Sequence, residues 1–169
     1  MASMKKVGVI GIPGKWSTEV LADAVESRTG SRLVIDMDAI SLDLPQRRLV
    51  HEGQDLCELD ALIVKKITRE YSPSTLDRLE LLRVAEARGV RVFSGAESIL
   101  RLIDRLSCTV SLANAGIPMP ATMVTVDVKT ACEAIESYGE AVLKPLYSTK
   151  ARGMCLVSAG DGAKHVKKA

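Results

Sequence analysis

Short aliphatic, β-branched runs alternate along the chain with longer stretches in which apolar positions recur every three or four residues. Residues 7–12 (VGVIGI), closed by Pro13 and Gly14, predict a buried parallel strand meeting a turn. Ser17 is placed to cap a helix running through Arg28, with Val20, Leu21, Ala24 and Val25 on one face. Residues 33–36, 60–67 and 90–93 predict three further strands. Ser72 and Pro73 open another helix, with Leu76, Leu79, Leu82, Val84 and Ala87 among its apolar positions, and Gly89 ends it. Residues 37–59 are mixed and carry Pro45, Arg47, Arg48 and Gly53, which predicts a loop with little regular structure. Continuous apolar strands separated by amphipathic helices predict an α/β unit with a mostly parallel, helix-covered sheet, complete by about residue 95.

The pattern then changes. Residues 96–115 read as helix, broken near Asp104, closed by Gly116 and kept from resuming by Pro118 and Pro120. Residues 121–126 predict a strand. Asp127 caps a helix over 128–138 that Gly139 ends. Two strands, 141–145 and 154–158, flank a polar loop over 147–153. This gives two domains, 1–95 and 96–169, with the later strands sharing one sheet of their own.

Composition narrows the function classes. Aromatic residues are 3% of the chain, too few for a base-stacking platform, and a net charge of +2 does not point to nucleic acid or a membrane surface. No apolar run approaches the roughly 20 residues that span a bilayer, and the first residues lack the pattern of a signal peptide. The four cysteines, Cys57, Cys108, Cys132 and Cys155, have no metal-ligand spacing. Reduced thiols in a cytoplasmic protein are the expectation.

Candidate chemistry collects at strand ends. Gly8, Gly11 and Gly14 follow G-x-x-G-x-x-G, which is neither the dinucleotide fingerprint nor a P-loop. They predict either a tight strand-to-helix turn or a ligand loop at the carboxyl end of a parallel strand, lined by Lys15 and Trp16. Lys65 and Lys66 lie near the end of an apolar strand; if Lys66 shares the crevice with Lys15, the two make a cationic pocket for a carboxylate or phosphate. Lys144 within an apolar strand is costly unless it meets an anion. Ser148, Thr149, Lys150, Arg152 and Gly153 follow it, with hydroxyls, cations and backbone N–H groups suited to a polyphosphate.

As an ordered set, residues 98–106 (SILRLIDRL), the 115–120 turn (AGIPMP), 143–145 (LKP) and 148–153 (STKARG) resemble the ATP-grasp superfamily, with the RimK-like ligases nearest in arrangement. The peptides KPLYSTKARGM and RLSCT are most similar to the ATP-grasp proteins of the bacterial GAK system. The resemblance covers nearly the whole chain. It implies a Rossmann-like pre-ATP-grasp domain on the substrate side, followed by the first α+β subdomain of an ATP-grasp domain. It also implies ATP, with magnesium, held between two such subdomains, and a carboxylate joined to an amine or thiol through an acyl phosphate. Lys144 and Arg105 are then the cations on the ATP phosphates, with arginine standing where the family usually has lysine. Residues Ser148, Thr149, Lys150, Arg152 and Gly153 cover the phosphates. Gly11, Lys15, Trp16 and Lys66 (or Lys65) face a small carboxylate or peptide substrate. The family's metal-binding acids lie downstream of the glycine-rich loop, so no metal ligand or catalytic residue is assigned within 1–169, and this stretch is expected to be inactive alone. Two rivals stay open: a non-catalytic module holding an anionic metabolite, and a flavodoxin-like domain with an unrelated tail. Homo-oligomerisation is also left open.

Overall fold

The apolar runs of the first hundred residues each become one strand of a parallel sheet. The computed structural model describes residues 5–146 and 153–161. They belong to two compact units, 1–100 and 101–169. In chain order the first contains β1 (Val7–Ile10), α1 (Trp16–Thr29), β2 (Val34–Ile35), β3 (Ile40–Asp43), β4 (Arg48–His51), β5 (Gln54–Asp55), β6 (Ala61–Val64), α2 (Ser74–Ala87) and β7 (Arg91–Phe93). The division between the units falls inside α3 (Ala96–Ile103). β2, β1, β6 and β7 stand side by side in that order, all parallel. Val9 and Ile63 are opposite one another. With Val7 and Val34 they form the surface on which Ala22, Leu21 and Val25 of α1 pack. Each aliphatic side chain buried this way contributes about 1.5–3 kcal/mol.

α1 departs from the expected start and face. Lys15, not Ser17, occupies the capping position and makes no side-chain cap bond. The Lys15 carbonyl already accepts from the Thr18 and Glu19 amides, so the helical ladder begins two residues early. Thr18, Ala22 and Val25 are the buried positions, whereas Val20 is exposed.

Residues 37–59 are not the loop predicted. β3, β4 and β5 form a small antiparallel sheet, with Leu42 opposite Leu49 and Ile40 opposite His51. Two one-turn 3-10 helices, Met37–Ala39 and Leu56–Glu58, flank it. Arg47 and Glu52 take φ of 50° and 49°, with Gly53 following at 81°, so each reversal also places in the left-handed region a residue that carries no turn signature of its own. Leu49, His51 and Leu56 turn inward.

In the second unit, α4 (Arg105–Asn114) follows the predicted break, and the Asp104 carboxylate accepts from the Ser107 amide at 3.0 Å. α5 (Val128–Tyr138) packs on an antiparallel hairpin of β8 (Glu140–Leu143) and β9 (Cys155–Ser158), a sheet separate from the first. The strand expected at 121–126 does not form. That stretch is exposed and has no strand beside it among the described residues, and β-branched residues extend into a sheet only when neighbours pack against them.

Asp127 caps α5 by accepting from both the hydroxyl and the amide of Thr130, each at 2.7 Å. These bonds, the hydroxyl's first, hold its carboxyl below the ordinary aspartate range. A carboxyl depressed in the folded state stabilises above its unfolded value, about pH 4, and loses that contribution as pH falls through the folded value. Asp127→Ala is therefore expected to lower the melting temperature at neutral pH, with the gap to wild type closing on acidification. A gap that stays constant across that range speaks against the cap.

Candidate functional site

The carboxyl ends of β1, β2 and β6 form one rim. Gly11 donates its amide to the Ile35 carbonyl at 3.0 Å, and Lys65 and Lys66 donate theirs to the Ile10 carbonyl at 2.8 and 3.2 Å. This stitching puts Gly11, Asp36 and the two lysines in adjacent turns. Gly11 is buried, and a Cβ there would stand 2.5 Å from Thr18 Cγ2 and 2.6 Å from Thr18 Oγ1. Thr18 Oγ1 in turn accepts from the Ile12 amide at 3.2 Å, so packing alone requires glycine here.

The turn that follows is partly self-satisfied. Gly14 donates to Glu19 Oε1 at 2.6 Å, and Glu19 also pairs with Arg32. The Arg32 bond first, then the Gly14 amide, holds the Glu19 carboxyl below its usual range. Lys15 and Trp16 stand out into solvent, with Trp16 80% exposed. Lys15 has no acidic partner among the described residues. Lys65 and Lys66 lie beyond the end of β6 rather than within it, and both are exposed. Lys66 Nζ donates to the Arg69 carbonyl at 3.4 Å.

Sequence reasoning missed the other half of this rim. Asp36 and Asp38, beside the end of β2, hold Arg69 and Arg78 in a charged network. Asp36 directly after an apolar strand was a legible signal; Arg69, in a polar loop, carried none. Cys57 is not a candidate nucleophile, because burial pushes its thiol up, away from the reactive thiolate. A cavity of about 200 Å³ lined by Lys6, Ser31, Arg32 and Gln54 opens at the opposite rim, where β1 begins.

In the second unit Lys144 follows β8 rather than lying inside it, and it is exposed, not buried as the strand prediction had it. Its cost is therefore that of a solvated lysine. Exposure alternates from Glu140 to Lys144. Ala141 and Leu143 are half-buried on the side α5 covers, while Val142 and its partner Leu156, 50% and 62% exposed, share the other face with Lys144. Gly153 (φ 70°) returns the chain to this point, its missing Cβ 3.0 Å from Pro145 Cγ. Arg105 is half-buried in the first turn of α4. Ser148, Thr149, Lys150 and Arg152 lie outside the described residues.

No protein-family model matches the sequence. A tetrahydromethanopterin:alpha-L-glutamate ligase of Methanosarcina acetivorans is 28% identical over 165 residues, 94% of this chain and 51% of that ligase. The chain thus spans about half the length of this curated relative. The ATP-grasp ligase PsnB, solved with a minimal precursor, superposes with a TM-score of 0.74 at 16% identity, covering 98% of this chain and 62% of PsnB. PsnB has also been solved with Mg and ADP. A RimK domain ATP-grasp protein from Sphaerobacter thermophilus superposes at 0.70 with 20% identity, covering 95% of this chain and 56% of that one.

The fold is that of the ATP-grasp ligases, over part of their length. Arg105, Lys144 and Gly153 all fall in the second unit, and Gly11, Lys15, Trp16 and Lys66 all fall on the sheet rim of the first. No sequence motif had marked the exposed pair Val142 and Leu156 beside Lys144.

Proposed function

We propose that this chain is the front part of an ATP-dependent ligase joining a carboxylate to an amine or thiol. Residues 1–95 serve as the substrate-side domain and 96–169 as the first part of the ATP clasp. The reading is supported above all by the ATP-grasp fold together with Lys144, an exposed cation beside an exposed apolar pair and the glycine that closes the following loop. On this reading the purine lies against Val142 and Leu156, Lys144 and Arg105 hold phosphate oxygens, and Ser148, Thr149, Lys150, Arg152 and Gly153 cover them. A substrate carboxylate oxygen attacks the γ-phosphorus, giving an acyl phosphate and ADP. The amine then attacks the acyl carbon and inorganic phosphate leaves. The chain's own contribution is to place and neutralise charge, the main demand of phosphoryl transfer.

Magnesium bound to the nucleotide supplies the remaining neutralisation. Among the described residues no group of three acidic, His or Cys side chains is placed to hold a metal. On the family resemblance the metal-binding acids lie downstream of the glycine-rich loop, so none is assigned within 1–169, and these residues are proposed to bind nucleotide without turnover. A cytoplasmic location, where the four thiols stay reduced, belongs to the same proposal. The cationic rim of the first unit by itself also fits a non-catalytic module that holds an anionic metabolite. An ATP titration with magnesium, on this chain and on the full-length gene product, separates the two. Saturable ATP binding by both supports the ligase, and ATP indifference in the full-length protein leaves only the module.

A further inference from the structure

We propose that Arg69 is a pre-set carboxylate receptor on the substrate rim, and that the ligand it reads carries a second carboxylate which stays chemically unchanged; this rests on the ligase reading above. Arg69 Nη2 contacts Asp36 Oδ2 at 2.7 Å, and its Nε approaches Asp38 Oδ2 at 3.5 Å. Both acids thus grip one edge of the guanidinium. The other edge, with Nη1, has no partner among the described residues, and the side chain is 53% exposed. A guanidinium held this way presents its remaining fork to solvent with its rotamer already chosen, so an arriving carboxylate does not have to order it.

The grip is itself anchored. The Asp36 side chain is only 19% exposed, and its Oδ1 accepts from the Asp38 amide at 3.1 Å. Its backbone amide points at Nε2 of His51, 3.4 Å away on β4. His51 is 4% exposed, and its Nδ1 is a buried polar atom with no hydrogen-bond partner among the described residues. Burying an imidazole with one nitrogen unsatisfied is costly, and what it secures is the position of Asp36. Asp38 is held in parallel by Arg78, which also bonds Thr68. Asp36 and His51 are positioning residues: neither needs to touch the ligand.

The charge balance points the same way. Lys15, Lys65, Lys66, Arg69 and Arg78 share the rim with Asp36 and Asp38, while Glu19 at the neighbouring turn is already taken by Arg32 and the Gly14 amide; the Lys66 ammonium is tied to the Arg69 carbonyl. Lys15 and Lys66 are left to face a reacting carboxylate. A carboxylate locked in the Arg69 fork has its lone pairs engaged and its charge neutralised, which makes it a poor nucleophile toward phosphorus. Arg69 therefore suits the group that does not react. The class of ligand is a diacid, such as an acidic amino acid or the acidic end of a peptide.

The test uses the whole 169-residue chain, titrated by NMR with glutarate and with its monoamide glutaramate at matched ionic strength, beside an ATP titration. Glutarate is expected to bind about tenfold more tightly than glutaramate, the difference one bidentate charged contact makes. Arg69→Gln should abolish that preference, and Arg69→Lys should keep only part of it. Asp36→Asn is the decisive variant. If the rim acts through net charge alone, removing a negative charge strengthens glutarate binding. If Asp36 positions Arg69, glutarate binding weakens by about three- to tenfold and glutaramate binding does not change. Melting temperatures of all three variants confirm that they are folded. Equal affinity for the two acids, no saturable binding of either, a preference surviving in Arg69→Gln, or tighter glutarate binding in Asp36→Asn each overturns the proposal. Lys144-dependent ATP binding without a glutarate preference sinks this inference alone, whereas absence of ATP binding sinks the ligase reading beneath it.

Discussion

Replacing Lys144 with methionine is expected to weaken ATP binding by roughly ten- to a hundred-fold in the full-length protein, with folding stability unchanged within about 0.5 kcal/mol. The affinity loss follows from the contact removed. A charge-assisted hydrogen bond to phosphate contributes on the order of 1.5–3 kcal/mol, and methionine keeps most of the side chain's reach while deleting the ammonium. The stability expectation follows from placement. Lys144 lies past the end of β8, is exposed, and makes no ion pair among the described residues, so nothing in the folded unit leans on its charge. Measuring ATP affinity and melting temperature on one preparation keeps the two effects apart. Unchanged affinity would remove Lys144 from the nucleotide site, whatever the fold.

The second large effect is structural. Gly11→Ala is expected to destabilise the first unit by roughly 2–4 kcal/mol, combining overpacking with loss of a buried hydrogen bond. The new methyl meets Thr18 at 2.5–2.6 Å, and Thr18 cannot retreat without abandoning the Ile12 amide. Thr18→Ala alone is expected to cost about 1–2 kcal/mol. In the double variant the atoms in conflict are gone, leaving Thr18 Cβ at 3.1 Å, so the two losses should add to less than their sum. Full additivity in chemical denaturation would mean that the clash is relieved elsewhere. The double variant also isolates any ligand role of Gly11, because a binding defect that persists once packing is repaired cannot be blamed on Thr18.

The sequence made the parallel sheet legible because its strands are buried on both sides and read as unbroken aliphatic runs, as in β1 and β6. Helix limits were legible where a side chain or a glycine sets them locally. Asp104, Asp127 and Gly139 behave as their residue types predict. The β3–β5 sheet was not legible: Pro45 and Gly53 marked its turns but read as loop, Arg47 and Glu52 gave no turn signal, and its strands of two to four residues alternate too briefly to stand out. The 121–126 run failed in the opposite direction: its residues suit a strand, but no neighbour pairs with it among the described residues. At the rim, Lys15 and Lys66 were visible as cations at strand ends. The Asp36–Arg69 pair was not, because it joins residues 33 positions apart that only the fold brings together.

The small antiparallel sheet also bears on how the chain reaches its fold. β1 ends at residue 10, and its neighbour β6 does not begin until 61, so during synthesis that side of β1 stays unpaired while the intervening chain emerges. β3 and β4, by contrast, are joined by a short turn and can zip within microseconds of release. Once zipped, they shorten the span that the pairing of β1 with β6 must close, and loop closure costs less for shorter spans. Disrupting the 44–47 turn is therefore expected to slow folding of the whole first unit, through a segment that adds no strand to its central sheet.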